Sequence, residues 1–173
     1  MTSPSSAAAG RASIARHSRS FALAARLLPR DVRDRASIVY AWCRRADDAV
    51  DAPGADAAGA VDRLEGELAM IYAGDRCGDP ILDGFAAVAH ETGIPRRYPA
   101  ELVAGMAMDA AGQRYDTEDE LRRYCFRVAG VVGLMMAHVM GVANPRALTA
   151  AARLGVGMQL TNICRDVRED WAR

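Results

Sequence analysis

The stretch Asp31–Asp51, DVRDRASIVYAWCRRADDAVD, decides the fold. Its apolar positions Val32, Ala36, Val39, Cys43, Ala46 and Val50 recur every three or four residues, the period of an amphipathic α-helix rather than of a strand. At about 100° per residue, Tyr40, Arg44, Asp47 and Asp51 fall within an arc of about 60°, with Asp48 near its edge. One long helix thus carries an apolar face and a narrow polar stripe ending in carboxylates one turn apart. The Ala52-Pro53-Gly54 segment is expected to stop it.

A second long helix opens at Asn144-Pro145, an N-cap and first-turn pair, and meets no breaker before Arg173. Its polar residues Gln159, Asn162, Asp166 and Asp170 lie within an arc of about 80°. Between the two, shorter helices are expected at roughly 57–73, 80–92 and 95–111 from the Gly, Asp and Pro punctuation around them. Thr117 with Glu120 forms a capping-box pattern for a helix running into Val128–Met140. Residues 1–10 are low in complexity and are expected to form a disordered tail.

Composition agrees with an all-α fold. The 173 residues include 35 alanines, the best helix former, beside few β-branched and aromatic residues, which argues against an α/β sheet. Twenty-two acids balance 22 bases, so no basic excess favours nucleic acid. Every base is arginine, which excludes Schiff-base chemistry and a P-loop lysine. Cys43, Cys77, Cys125 and Cys164 form no CxxC pair, so neither a zinc site nor a disulfide framework is expected. Cys43, Cys125 and Cys164 sit in apolar helical patterns and are expected to be buried thiols in a reducing, cytoplasmic compartment. The apolar run 128–143 is shorter than the ~20 residues needed to span a bilayer and reads as a core helix.

The two stripes admit an ordinary reading as solvated faces, since like charges at i,i+4 repel by only a few tenths of a kcal/mol. Their flanks argue against it: Ile38, Val39, Trp42 and Cys43 on one helix, Leu160, Ile163 and Cys164 on the other. Facing inward, such carboxylates would each cost several kcal/mol without compensation. Hard oxygen donors without His or Cys partners suit Mg²⁺, which takes its remaining ligands from water and substrate phosphates. The expectation is a Mg²⁺–diphosphate site between two facing helices.

At these residues the chain resembles the squalene and phytoene synthase family. The resemblance is carried by Ser18-Arg19-Ser20-Phe21, by Tyr40 to Asp51, by Tyr124 to Gly133 and by Gln159 to Asp170, four ordered blocks that cover the chain from about residue 12 to its end. It implies the all-α isoprenoid synthase fold, a helical bundle around a central cavity. It also implies Mg²⁺-dependent head-to-head joining of two prenyl diphosphates through a cyclopropylcarbinyl diphosphate. Geranylgeranyl diphosphate going to phytoene, with release of diphosphate, is the favoured expectation. Squalene or presqualene diphosphate synthesis from farnesyl diphosphate, or a catalytically silent assembly factor of the same fold, are the alternatives. A terpene cyclase fits less well, because its second metal motif carries Ser or Thr where this chain has Asp166 and Asp170.

On the same resemblance, Asp47, Asp51, Asn162, Asp166 and Asp170 hold Mg²⁺, with Mn²⁺ as the alternative ion, and no NADPH is expected for phytoene synthesis. Arg44, Arg165, Gln159, Asn162, Ser18 and Ser20 contact substrate phosphate. Tyr40, Phe21 and Tyr124 line the site of the developing carbocation, Tyr124 also within reach of phosphate. The run Gly130 to Met136 lines a dry channel, its glycines making room for isoprenoid tails. Asp109 and Asp116 receive no assignment. Family members continue past the second aspartate block, so residues 11–173 are expected to be the N-terminal part of one domain, weak or inactive alone. The working enzyme is expected to be peripheral at a membrane, since its product is an insoluble hydrocarbon.

Overall fold

The computed structural model describes residues 3–51 and 56–170, except for the side chains at 19, 20 and 168–170. The described residues form α1 (Pro4–His17), α2 (Arg19–Ala25), α3 (Arg30–Asp51), α4 (Ala57–Ala73), α5 (Pro80–Thr92), α6 (Arg97–Ala110), α7 (Glu118–Cys125), a π-helical turn (Phe126–Gly130), α8 (Val131–Val139) and α9 (Pro145–Asp170). None of them is in a strand. The Pro53-Gly54 stop falls outside the described residues.

Helix α3 is the hub, packed by α1, α4, α5, α6 and α8. Its apolar face buries Ile38, Val39, Trp42 and Ala46, and the Trp42 ring stacks on Phe85 of α5 at 4.4 Å between centroids and 9° between planes. Ion pairs cross the outside of the hub: Arg45 reaches Glu67 of α4 at 2.6 Å, and Arg35 reaches Glu91 of α5 at 2.7 Å.

The tail expected at residues 1–10 is corrected from residue 4 onward, where α1 begins. Ser3 caps it by accepting the Ser6 N–H at 3.1 Å, and Pro4 occupies its first turn. Gly10 then lets α1 lie directly on α3: a Cβ there would stand 2.9 Å from the backbone of Ser37 and Ile38. Small residues that look like low complexity are the condition for this close approach.

Helix ends follow local chemistry. Asp79 caps α5 by accepting the Ile81 and Leu82 N–H groups at 2.7 and 3.1 Å. α5 closes on Gly93 at φ +67°, where a side chain would be strained. The capping box at Thr117 and Glu120 is formed at the start of α7. Asn144 accepts the Arg146 N–H at 2.9 Å at the start of α9.

The segment from Glu118 to Val139 passes through the π-turn instead of running as one α-helix. There the role expected of the glycines is corrected. A Cβ on Gly155 would lie 2.3 Å from the Ala129 carbonyl oxygen and one on Gly133 2.4 Å from the Ala151 carbonyl oxygen, so these two glycines bring α9 into backbone contact with the π-turn and α8. Val131 and Met135 are fully buried in the core. Of the thiols expected inside, Cys125 is buried and Cys43 partly so, whereas Cys164 on α9 is exposed. No helix among the described residues is long and apolar enough to cross a membrane.

Candidate active site

The polar stripe of α3 is continuous. Arg44 ties two of its acids together, donating to Asp47 at 2.7 Å and to Asp48 at 2.5 Å. Burial raises the Asp47 carboxyl above its usual range; Arg44 opposes this, and Asp51 and Asp48 add to it. The expected phosphate fork is therefore turned onto its own helix, where it offsets part of the negative charge. Tyr40, one turn earlier, is partly buried, and burial raises its phenol. The Phe21 ring lies 6.1 Å from it at 54°. Ser18 accepts the Phe21 N–H at 3.3 Å and so caps α2. The Ser20 side chain lies outside the described residues.

On α9, Gln159, Asn162 and Asp166 are partly buried. Arg165 grips Asp166 with two donated hydrogen bonds of 2.6 and 2.8 Å, which holds that carboxyl below its ordinary range. The Asp170 side chain lies outside the described residues. Helix α9 packs on α7, the π-turn and α8, and α8 packs on α3, so the two stripes are linked through a shared neighbour. Asn162 and Thr161 line an open groove of ≈ 520 Å³ along α9.

One residue that sequence reasoning left unassigned, Asp109, belongs with the α3 stripe and the expected Tyr124. Asp109 lies in the last turn of α6, where its carboxyl and the Tyr124 phenol of α7 influence one another electrostatically. Tyr124 in turn stacks on Tyr115, with centroids 4.9 Å apart and planes at 28°. Burial pushes the Asp109 carboxyl up to about 6; Tyr124 opposes this, while the charges of Asp51 and Asp47 add to it. Burial and Asp109 together push the Tyr124 phenol well up. Helices α3, α6 and α7 thus bring three carboxylates and a phenol into one electrostatic neighbourhood. The sequence signal was slight: an acid closing the otherwise apolar run Met106-Ala107-Met108.

With this geometry in place, similarity to known proteins becomes informative. A family model for squalene/phytoene synthase matches residues 14–173. The chain belongs to the squalene/phytoene synthase family. It is 48% identical over 153 residues to a phytoene synthase of Rhodobacter capsulatus, an alignment covering 87% of this chain and 45% of that protein. It is 41% identical over 165 residues to a 15-cis-phytoene synthase of a Paracoccus species, covering 91% and 54%. A solved dehydrosqualene synthase in complex with ligand superimposes with a TM-score of 0.87 at 32% identity, over 96% of this chain and 58% of that one. A squalene synthase from Alicyclobacillus acidocaldarius gives a TM-score of 0.88 at 25% identity, over 96% and 63%. The chain spans about half the length of the curated relatives it matches, and its helices are those of the isoprenoid synthase fold.

The donor set of this squalene/phytoene synthase family member fits Mg²⁺. Among the described residues no three His, Cys, Asp or Glu side chains converge into a closed cage. Carboxylates instead come as a pair on α3 and as Asp166 beside amides on α9. Mg²⁺ favours such sites, taking one or two carboxylates and completing its shell with water and phosphate oxygens. Burial, with Asp51 and Asp48 adding to it, raises the Asp47 carboxyl, and a bound cation there would favour its charged form.

Proposed function

We propose that the protein encoded by this sequence is a prenyltransferase that joins two geranylgeranyl diphosphates head to head to give phytoene and diphosphate. The observation carrying this reading is that the α3 stripe of Tyr40, Arg44, Asp47 and Asp51 and the α9 stripe occur together in a chain 48% identical to a phytoene synthase. Asp47, Asp51, Asn162, Asp166 and Asp170 would hold Mg²⁺, which when bound neutralises a leaving diphosphate as a Lewis acid and template.

The chain's own residues do the rest. Arg44 and Arg165 are planar forks already drawn to anionic oxygens, and each can exchange its carboxylate partner for phosphate. Tyr40 and Phe21 offer π faces to developing positive charge. The apolar faces of α3, α6 and α8 keep water from beneath the site, where a carbocation would be quenched. The insoluble product places the working enzyme peripherally at a membrane surface.

A second reading uses farnesyl diphosphate, because the structural neighbours are a dehydrosqualene and a squalene synthase. Incubating the gene product with Mg²⁺ and either diphosphate, with and without NADPH, separates the two. A forty-carbon hydrocarbon formed without NADPH supports phytoene synthesis. A thirty-carbon product from farnesyl diphosphate alone overturns that substrate choice.

A further inference from the structure

We propose that the outward face of α2 and the turn after it form a membrane-docking surface, on which Leu23 and Leu27 enter the headgroup region of an anionic bilayer while Arg16, Arg26 and Arg30 meet lipid phosphates. The inference deepens the peripheral placement proposed above and rests on the prenyl-transfer reading only for what the docking serves.

The surface is built by Phe21-Ala22-Leu23-Ala24-Ala25-Arg26-Leu27-Leu28. Backbone bonds from Arg26, Leu27 and Leu28 to the carbonyls of Leu23, Ala24 and Ala25 carry the turn past the end of α2. At about 100° per residue, Phe21, Ala25 and Leu28 fall within an arc of about 60°, and Leu23, Arg26 and Leu27 within an arc of about 100° on the opposite side. Burial follows the same division. Ala25 is buried, Leu28 packs against the core, and the Phe21 ring lies 6.1 Å from Tyr40. Leu23 is 66% exposed and Leu27 89%. A single exposed leucine needs no explanation, whereas two on one face make a patch.

Charge decides the occupant. The first 30 residues contain Arg11, Arg16, Arg19, Arg26 and Arg30 and no acid. Arg11 is paired with Asp34, but Arg16, Arg26 and Arg30 are exposed and form no ion pair among the described residues. On α3, by contrast, Arg35, Arg44 and Arg45 all meet carboxylates. Exposed leucines flanked by unpaired arginines complement a surface that is anionic outside and apolar beneath, which is an anionic bilayer. The exposed Leu154 and Met158 of α9 differ, since they line the groove with Asn162 and belong with the site already described. With α2 in the headgroup region and Phe21 on its inner side beside Tyr40, a prenyl tail passing from lipid to the site crosses one helix rather than bulk water.

Co-sedimentation of the gene product with equimolar phosphatidylcholine/phosphatidylglycerol vesicles tests the surface, with phosphatidylcholine vesicles as the zwitterionic arm. Binding should be at least about tenfold tighter to the anionic vesicles and should weaken as salt rises to about 0.5 M. Leu23→Ser/Leu27→Ser and Arg26→Glu/Arg30→Glu should each lower binding by about tenfold or more, with melting transitions intact. Leu154→Ser on α9 should leave vesicle binding unchanged. Leu27→Trp should be quenched by brominated lipid in the anionic vesicles beyond the wild-type level. Absent vesicle binding, equal binding to both vesicle types, double variants that bind as wild type, a Leu27→Trp quenched no more than wild type, or a Leu154→Ser loss matching that of the leucine pair would each overturn the proposal. A protein that docks through α2 yet forms no hydrocarbon overturns the prenyl-transfer reading and leaves the docking surface standing. Hydrocarbon formed in detergent by a protein indifferent to vesicles does the reverse.

Discussion

A Cβ on Gly133 would stand 2.4 Å from the carbonyl oxygen of Ala151, a contact that no flexible side chain can relieve because the opposing atom is backbone. This crossing sets how α8 and α9 meet, and α9 carries Gln159, Asn162 and Asp166 to the site. Position on α9 is therefore decided by residues without side chains.

Two glycines on α9 give a matched comparison. Gly155 faces the Ala129 carbonyl at 2.3 Å, whereas Gly157 has nothing within 4 Å. Gly155→Ala should cost about 1–3 kcal/mol through overpacking. Gly157→Ala should be neutral or stabilise by up to about 1 kcal/mol through helix propensity. Thermal melts of the two variants check this, and equal Tm shifts would contradict the crossing.

The Trp42–Phe85 stack lies at the centre of the core, with Phe85 fully buried. Phe85→Ala should cost about 3–5 kcal/mol, the combined loss of transfer energy and the cavity left beneath Trp42. Urea unfolding followed by Trp42 fluorescence reads both the stability and the loss of the ring contact.

Asp109 gives a pH dependence of defined sign. Burial raises its folded-state carboxyl to about 6, above the ordinary value of 3.8; the charges of Asp51 and Asp47 on α3 add to this and Tyr124 of α7 opposes it. The folded chain binds this proton more tightly than the unfolded chain. The stability it contributes is fully present below pH 3.8 and is lost as pH rises through about 6. Asp109→Asn should therefore be more stable than wild type at pH 7–8, and the gap should close at pH 4 and below. Melts across this range test it.

The helix α3 was legible because both of its faces are written in three- and four-residue spacing, and α9 because Asn144-Pro145 marks its start. What stayed hidden depends on partners. The helical state of residues 4–10 comes from Gly10 lying on Ser37 and Ile38, a contact with no local signature. The π-turn at Phe126–Gly130 leaves no mark in a periodic pattern that the chain shares with ordinary helix. Cys164 looked internal because its neighbours are apolar, yet on α9 it is exposed. Asp109 and Tyr124 are 15 positions apart in sequence, and their electrostatic coupling depends on the π-turn after α7 packing on α6.

The two-stripe site is tested most directly by calorimetric titration of inorganic diphosphate into the protein with and without Mg²⁺, repeated with Asp47→Asn and Asp166→Asn. Diphosphate should bind only when Mg²⁺ is present, and either substitution should weaken that coupled binding by roughly ten- to hundredfold. Diphosphate binding of equal strength without Mg²⁺, or coupled binding untouched by both substitutions, would contradict the assignment of these aspartates to one Mg²⁺–diphosphate site.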